Sequence, residues 1–323
     1  ITYAPNYALT DISSTGAINN GAAGWFSAGP YNEPVIFFND IRRTDKQQGV
    51  FGELSIDMSE TSELTVGARW YDIEVDFEGS ANSSFGNGWG NTDQQKYGSN
   101  LSAQYAPGNA NGYPDKAQTD GVIGKITYSW NPSEDVMYYL TWSEGFRPGL
   151  LNRPVGASNA AGTYSVKPEV KSDEVTNFEF GWKAVLADGQ LRFNGSAFMV
   201  DVTGLQTTIF DPSIVNLFFS DNAADAEITG LEGDFIYYPD MDGWMISGAF
   251  SILNTELTKS LVPTDDVTVG ADLAFAPGMQ GNLSARREWG MSSGNTGHFQ
   301  AQMTWSDDSY SDVMEPNKAL QDS

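Results

Sequence analysis

Apolar side chains recur at every second position through much of the chain, with polar residues between them. The clearest case is Val136, Tyr138, Leu140 and Trp142, which share one face of a stretch running to Phe146. A second is Phe178, Phe180, Trp182 and Ala184, set against Asn177, Glu179 and Lys183. Period two with one apolar and one wet side is the pattern of a β-strand lying between two different surroundings. The same alternation predicts strands over roughly 46–58 (Val50, Gly52, Leu54, Ile56), 63–78 (Leu64, Val66, Ala68, Trp70), 120–130 (Val122, Gly124, Ile126, Tyr128, Trp130), 136–146, 173–186 and 190–208 (Leu191, Phe193, Gly195, Ala197, Met199). It continues over roughly 224–238 (Leu231, Gly233, Phe235, Tyr237), 244–257 (Trp244, Ile246, Gly248, Phe250, Ile252), 278–289 and 298–306 (Phe299, Ala301, Met303, Trp305). After Trp70 the apolar parity switches to Tyr71, Ile73, Val75 and Phe77, as a bulge or a change of surroundings would each produce. Residues 1–44 show little periodicity, and Ser13–Pro34 reads as loop, as do Gly79–Thr119 and Phe210–Ala223.

The connections carry the next step. Short turns of about three to eight residues alternate with connections of about 11 to 41, whereas a soluble sandwich mixes short and long loops at both ends. An outer-membrane barrel combines short periplasmic turns with long extracellular loops. A membrane strand needs about 9–11 residues, which these segments supply, and only helices and closed barrels satisfy their backbone in lipid. The expected fold class is all-β, an antiparallel transmembrane β-barrel, with residues 1–323 forming one partial barrel domain of about ten strands. Trp70, Trp130, Trp142, Trp182, Trp244 and Trp305 then fall at the membrane interfaces or against lipid.

Charge and composition exclude several classes. Lys and Arg number 17 against 42 Asp and Glu, a net charge of −25. Such a chain lacks the basic footprint of a nucleic-acid binder and repels anionic lipid headgroups. With no cysteine it has no disulfide, thiolate metal site or cysteine nucleophile. The mean hydropathy of −0.35 and the absence of a long apolar run argue against a transmembrane helix. Ile1-Thr2-Tyr3-Ala4-Pro5 is not a signal peptide, so a leader was removed or the chain is an internal piece. The single His298 has no partner in sequence, Asp240-Met241-Asp242-Gly243 lacks the remaining ligands of a calcium loop, and no nucleophile–base set stands out. The chain is not expected to be an enzyme, nor to hold a metal or cofactor.

Four segments also resemble a known family. They are Tyr138-Tyr139-Leu140-Thr141-Trp142-Ser143-Glu144-Gly145-Phe146-Arg147-Pro148-Gly149 with Asn152 and Arg153; Lys167-Pro168-Glu169 with Ser172-Asp173-Glu174 and Asn177-Phe178-Glu179-Phe180-Gly181-Trp182-Lys183; Asn222 with Ala226-Glu227-Ile228-Thr229-Gly230-Leu231-Glu232; and Thr44-Asp45-Lys46-Gln47 with Val50-Phe51-Gly52-Glu53-Leu54. In this order they resemble the barrel of TonB-dependent outer-membrane receptors over about residues 44–290. The resemblance implies a barrel of about 22 strands closed by an N-terminal plug, located in the bacterial outer membrane. It makes Gly145, Phe146, Pro148, Gly149, Asn177, Glu179, Gly181, Gly230 and Glu232 structural motif residues. It further implies energised import of a scarce bulky nutrient, first of all a ferric siderophore or other iron complex, with TonB as partner through a plug that this chain lacks. The ending Lys318-Ala319-Leu320-Gln321-Asp322-Ser323 looks like the lead-in to another strand.

For ligand capture the candidates are Arg147, which would pair with a carboxylate of the wall or with an anionic chelate, and the loop aromatics Trp25, Phe26, Trp89, Tyr105, Tyr113 and Tyr164, which would wall a vestibule. Loop packing is the competing role for each. Two other functions fit the strands: a passive porin-type channel, and a secreted β-rich carbohydrate-binding or enzymatic domain whose apolar faces pack into a core. The flanking coding sequence separates them. A plug-length segment upstream and further alternating strands downstream are expected; a start codon at Ile1 and a stop after Ser323 would favour the soluble domain.

Overall fold

The computed structural model describes residues 2–3, 35–83, 116–152, 162–210, 218–262, 267–313 and 318–322. Their strands are β1 (Thr2–Tyr3), β2 (Val35–Ser59), β3 (Ser62–Ser83), β4 (Lys116–Ser133), β5 (Val136–Arg147), β6 (Leu150–Leu151), β7 (Glu169–Val170), β8 (Asp173–Leu186), β9 (Leu191–Phe210), β10 (Phe218–Tyr237), β11 (Trp244–Ser260), β12 (Met279–Gly290), β13 (Thr296–Ser306), β14 (Ser309–Tyr310) and β15 (Leu320–Gln321). The long strands form one antiparallel sheet in which neighbours in sequence are neighbours in space, with β6–β7 and β14–β15 as two small separate ribbons. At one end the strands are joined by short turns, at the other by the longer connections, hereafter the turn end and the loop end.

Alternation and register agree across the sheet. Ile126, Trp142, Phe178 and Met199 form one cross-strand row, and Tyr128, Leu140, Phe180, Ala197 and Leu231 form the next. Toward the turn end Trp130, Tyr138, Trp182 and Gly195 follow. All are on the apolar face, where Leu140, Phe178 and Phe180 are largely exposed. A soluble sheet would cover such a band. Here no second layer does so among the described residues, as expected of a face turned to hydrocarbon.

Within the band, bulky rings repeatedly lie across a glycine on the neighbouring strand. Trp182 covers Gly195, Phe250 covers Gly233, Phe235 covers Gly248 and Trp305 covers Gly281, each glycine being the direct cross-strand partner of its ring. A Cβ at any of these glycines would sit inside the ring's own space. The small residue lets the aromatic lie flat on the sheet and pins the register of the pair.

The strands run further at the loop end than alternation predicts. β2 begins at Val35 rather than near 46, β3 and β4 take the edges of Gly79–Thr119, and β10 begins at Phe218, leaving only residues 211–217 of the expected Phe210–Ala223 loop between strands. The expected loop Ser13–Pro34 lies outside the described residues. The parity switch in β3 is no bulge: the register with β2 and with β4 runs without a shift through Trp70, Tyr71 and beyond. The strand instead leaves the apolar band. Past Trp70 the apolar face carries Asp72, Glu74 and Asp76, while Tyr71, Ile73 and Val75 on the opposite face are buried against Ala117 and Leu151. The side chain of Phe77 lies outside the described residues.

Replacing Gly195 by Val displaces Trp182 and costs about 1–3 kcal/mol, the scale of overpacking. Gly52, which has no atom within 4 Å of a built Cβ, tolerates Ala with little change. Urea unfolding of the refolded protein in detergent, followed by tryptophan fluorescence, measures both.

Candidate functional site

Polar chemistry concentrates at the loop end, on the face opposite the apolar band. The segment after β5 turns back across this face and is fastened on both sides. Near β4, the Gly149 N–H donates to Thr119 Oγ1 at 2.9 Å and Leu151 enters the cluster of Tyr71, Ile73 and Val75. A Cβ at Gly149 would lie 2.8 Å from the Val170 carbonyl oxygen, so only glycine allows the segment this close. Phe146 stacks on Tyr71 at 3.8 Å between centroids.

Across β9 and β10 the fastening is by hydrogen bonds. Asp173, 1% exposed, accepts from the Arg147 backbone N–H (2.9 Å) and Nε (2.6 Å), and Nη2 pairs with the same carboxylate. Arg147 Nη2 also donates to the Gln206 carbonyl, and Gln206 Nε2 donates to the carbonyls of Pro148 and Lys171. Buried Asn152 donates to the carbonyls of Lys167 and Ser220 and accepts from the Ser220 N–H. Asp221, with no exposed side-chain surface, receives Tyr164 Oη at 2.6 Å, Lys167 Nζ at 3.1 Å and the Asn222 N–H. Burial, and then the hydrogen bond to Asp221, push the Tyr164 phenol above its ordinary value of 10.0.

This clasp exists because two strands break register together. Gly204 takes φ +68°, a left-handed conformation that suits glycine. Pairing of β9 with β10 shifts on either side of Ala224. The paired bulges re-aim the upper parts of both strands, so that Ile209, Phe219 and Ala223 join Val202 in one buried cluster with Tyr164 and Val166, against which half-buried Leu205 packs. Asn222 fills the break, donating to the carbonyls of Gly204 and Lys171 and accepting from the Lys171 N–H.

Toward the turn end the same face is a polar ladder. Tyr139 Oη donates to Glu179 at 2.5 Å, Thr127 bonds Thr141, Asn194 donates to Asp234 and Ser196 to Glu232. Gly181 lies beneath Tyr139 and Gly230 beneath Phe198, which gives these two motif glycines a packing reason. Asn177 sits in register with Ser143 and Val200, and Gly145 with Val175.

Of the ligand candidates, Arg147 and Tyr164 are both built into the clasp. Trp25, Phe26, Trp89, Tyr105 and Tyr113 lie outside the described residues. His298 is the third residue of β13, opposite Glu288, and Pro239–Gly243 lies in the β10–β11 turn. Gln206 and Asp221 escape sequence reasoning, and Asn152 and Lys167 are noticed only as part of motif segments, because the partners that join them in the clasp lie 15 to 68 residues away. Above the band the apolar face is aqueous in chemistry too: Lys46 and Lys116 both donate to Glu74 and hold its carboxyl below the usual range.

Tyr164→Phe leaves one Asp221 oxygen short of a donor, at a cost of about 1–3 kcal/mol. The expected result is faster amide hydrogen exchange at Ser220–Asn222. The raised phenol pKa means the clasp is fully supported below 10.0 and loses that support as pH rises through the higher folded value. The wild type therefore shows an alkaline loss of protection that the Phe variant lacks.

Comparison with known proteins supplies the family. Residues 3–319 match the family described as TonB dependent receptor-like, beta-barrel. The chain is 24% identical over 155 residues to PiuA, a probable TonB-dependent siderophore receptor of Acinetobacter baumannii, covering 48% of this chain and 20% of that protein. Among solved structures it superposes on FyuA, the ferric yersiniabactin uptake receptor from Yersinia pestis, with a TM-score of 0.61 at 14% identity over 87% of this chain and 37% of that one. On BauA, the ferric preacinetobactin receptor from Acinetobacter baumannii, the TM-score is 0.56 at 16% identity, covering 91% and 36%. The chain thus spans a fifth of its curated relative and little more than a third of the solved receptors. Its apolar band is a lipid-facing surface, and the chain belongs to the β-barrel family of TonB-dependent receptors, which are transporters of the bacterial outer membrane and not enzymes.

Proposed function

We propose that this chain is part of the wall of a receptor that captures a ferric siderophore or another iron chelate at the cell surface and imports it with energy delivered through TonB. The observation that carries the reading is the family match over residues 3–319, and the relationship to a probable siderophore receptor supports it. The strand pattern supports it as well. Among the described residues the ten long strands form an open sheet in which β13 does not pair back to β1 or β2, as a stretch of a larger barrel would, and a barrel of about 22 strands needs a plug to be more than a hole. The plug and its TonB contact belong to the whole receptor, of which residues 1–323 form one stretch of barrel.

The clasp holds the extracellular rim in one shape. Arg147 spends its guanidinium on Asp173 and Gln206, and Tyr164 spends its hydroxyl on Asp221. We therefore assign these two to the support of the vestibule, and contact with the chelate to the aromatic loop residues Trp25, Phe26, Trp89, Tyr105 and Tyr113.

The test is uptake of radioactive iron under iron limitation, with the full-length receptor expressed in cells stripped of their own siderophore receptors and a panel of ferric siderophores offered in turn. The expected result is uptake of at least one chelate that stops when TonB is deleted, with Trp89→Ala or Tyr113→Ala raising the half-saturating concentration about tenfold, the equivalent of ~1.4 kcal/mol. Uptake that persists without TonB would make it a passive pore. Import of cobalamin or an oligosaccharide alone would keep the transporter and replace the nutrient.

A further inference from the structure

On the face opposite the band, which lines the interior of the barrel, an uncovered ring stands beside two unmatched cations. Phe51 is 83% exposed, more than any other large apolar side chain among the described residues, although its face is the polar one. Its cross-strand partner is Arg69, which in turn lies opposite Ile123. Lys125, two positions along β4 on the same face, is the diagonal neighbour of Arg69, and such positions on a sheet are about 7–8 Å apart. Both cations are exposed, and neither side chain makes a hydrogen bond or ion pair among the described residues. β3 and β4 are paired on both sides, so a further strand beside β2 would leave these two cations uncovered.

The local backbone aims them. Glu53, the diagonal neighbour of Arg69 on β2, lies across Gly67, with Oε2 3.7 Å from where a Cβ would be, and does not reach the guanidinium. Arg69 turns the other way, toward the loop end, and fills the space above Gly49, its Nε 3.5 Å and Nη2 3.7 Å from where a Cβ would be. Gly49 is the partner of Tyr71, whose ring leans over Gly121 on its other side. Leu151 and Phe146 cover Tyr71, so the patch begins directly below the edge of the clasp. Elsewhere on this face Arg147 pairs with Asp173 and Arg286 with Glu288, while Lys183 and Arg192 share a hollow at the turn end with Glu134 and Asp135. In a chain of net charge −25, unmatched cations beside a bare ring suit an anion that also carries flat apolar surface. Guanidinium and ammonium donate to its oxygens, and the Phe51 ring stacks on its rings. A chelate built from carboxylates has nothing to lay on Phe51, and a neutral chelate gains little from the cations.

We propose that Phe51, Arg69 and Lys125 form a subsite for one aromatic arm of an anionic iron chelate, a catecholate or phenolate ring lying against Phe51 while its oxygens accept from Arg69 and Lys125. The proposal rests on the reading of this chain as the wall of an iron-chelate receptor. It adds the chemical class of the chelate and a station on the inner wall, beyond the loop aromatics.

Quenching of tryptophan fluorescence in the purified full-length receptor tests this with three probes: a synthetic tripodal tris-catecholate of iron(III), a neutral iron(III) trihydroxamate, and ferric citrate. The tris-catecholate is expected to bind about tenfold more tightly than either of the others. Arg69→Gln and Lys125→Gln each weaken it about tenfold and Phe51→Ser about fivefold, while Lys183→Gln, which removes a cation at the turn end, leaves it unchanged. Heat-dependent gel mobility checks that each variant is a folded barrel. Phe51→Cys, in a chain without cysteine, reports the place directly: a membrane-impermeant maleimide labels it in intact cells, and the tris-catecholate protects it. Preference for the trihydroxamate or citrate, or an equal loss of affinity in Lys183→Gln, overturns the proposal and leaves iron-chelate import standing. Unchanged affinity in Arg69→Gln and Lys125→Gln also overturns it, and a lowered unfolding temperature in those variants would make the patch a seat for the plug instead. Binding of no iron chelate at all removes both the proposal and the reading on which it rests.

Discussion

In hydrocarbon a backbone N–H or C=O has no partner except another strand, and the rest of this molecule follows from that constraint. It forces each strand to pair along its whole membrane length with neighbours on both sides. Continuous pairing locks the register, and a locked register sends every second side chain to lipid. The rows that run from Ile126 to Met199 and from Tyr128 to Leu231 are the result. The glycine–aromatic pairs serve the same end, because a slip of one residue would drive Trp182 or Phe250 into a Cβ instead of into the space above Gly195 or Gly233.

Above the lipid the constraint relaxes, since water can bond any backbone group the strands leave. It is there that the sheet departs from regularity. The bulges at Gly204 and Ala223 would expose unpaired groups to hydrocarbon if they lay within the band. In water they are harmless, and they turn Leu205, Ile209 and Phe219 inward to build a small core. That core has no lipid to exclude it from solvent, so it must be covered. The segment carrying Tyr164 and Val166 covers it, held by buried Asn152, Asp173 and Asp221. A buried carboxylate is costly unless its oxygens are bonded; Asp173 collects donors from β5 and β9, and Asp221 from the covering segment at Tyr164 and Lys167 and from its neighbour Asn222.

How much of this the sequence discloses depends on where the solvent contrast is. Within the band, β5 and β8 were legible to within a residue, since lipid on one side and water on the other impose period two. Past Trp70 both sides of β3 meet polar surroundings or the small core, the contrast inverts, and Tyr71, Ile73 and Val75 looked like a bulge or a change of surroundings. The extension of β2 back to Val35 left no alternation to read. The clasp was less accessible still. Asp221 is one carboxylate among 42 acidic residues, and what distinguishes it is burial beside Tyr164, which comes 57 positions earlier. Arg147 was noticed by its setting in a motif, yet its partner Asp173 became visible only when the β5–β8 register put the two side by side.

The division of charge between the two faces follows from the same geometry. A net charge of −25 cannot be carried in lipid, so the carboxylates are confined to the polar face and to the rows beyond the band. On the polar face they find donors: Glu179 takes Tyr139, Asp234 takes Asn194 and Glu232 takes Ser196. Just beyond the band on the lipid side, Asp201, Glu227 and Glu256 stand opposite one another, an arrangement that water alone would tolerate but not favour. A row of like charges at that height fixes how deep the barrel sits, because neither sinking nor rising can occur without burying carboxylates or exposing the rings of Trp142 and Phe178. The surface that keeps the barrel in register is thus also the one that sets its depth in the membrane.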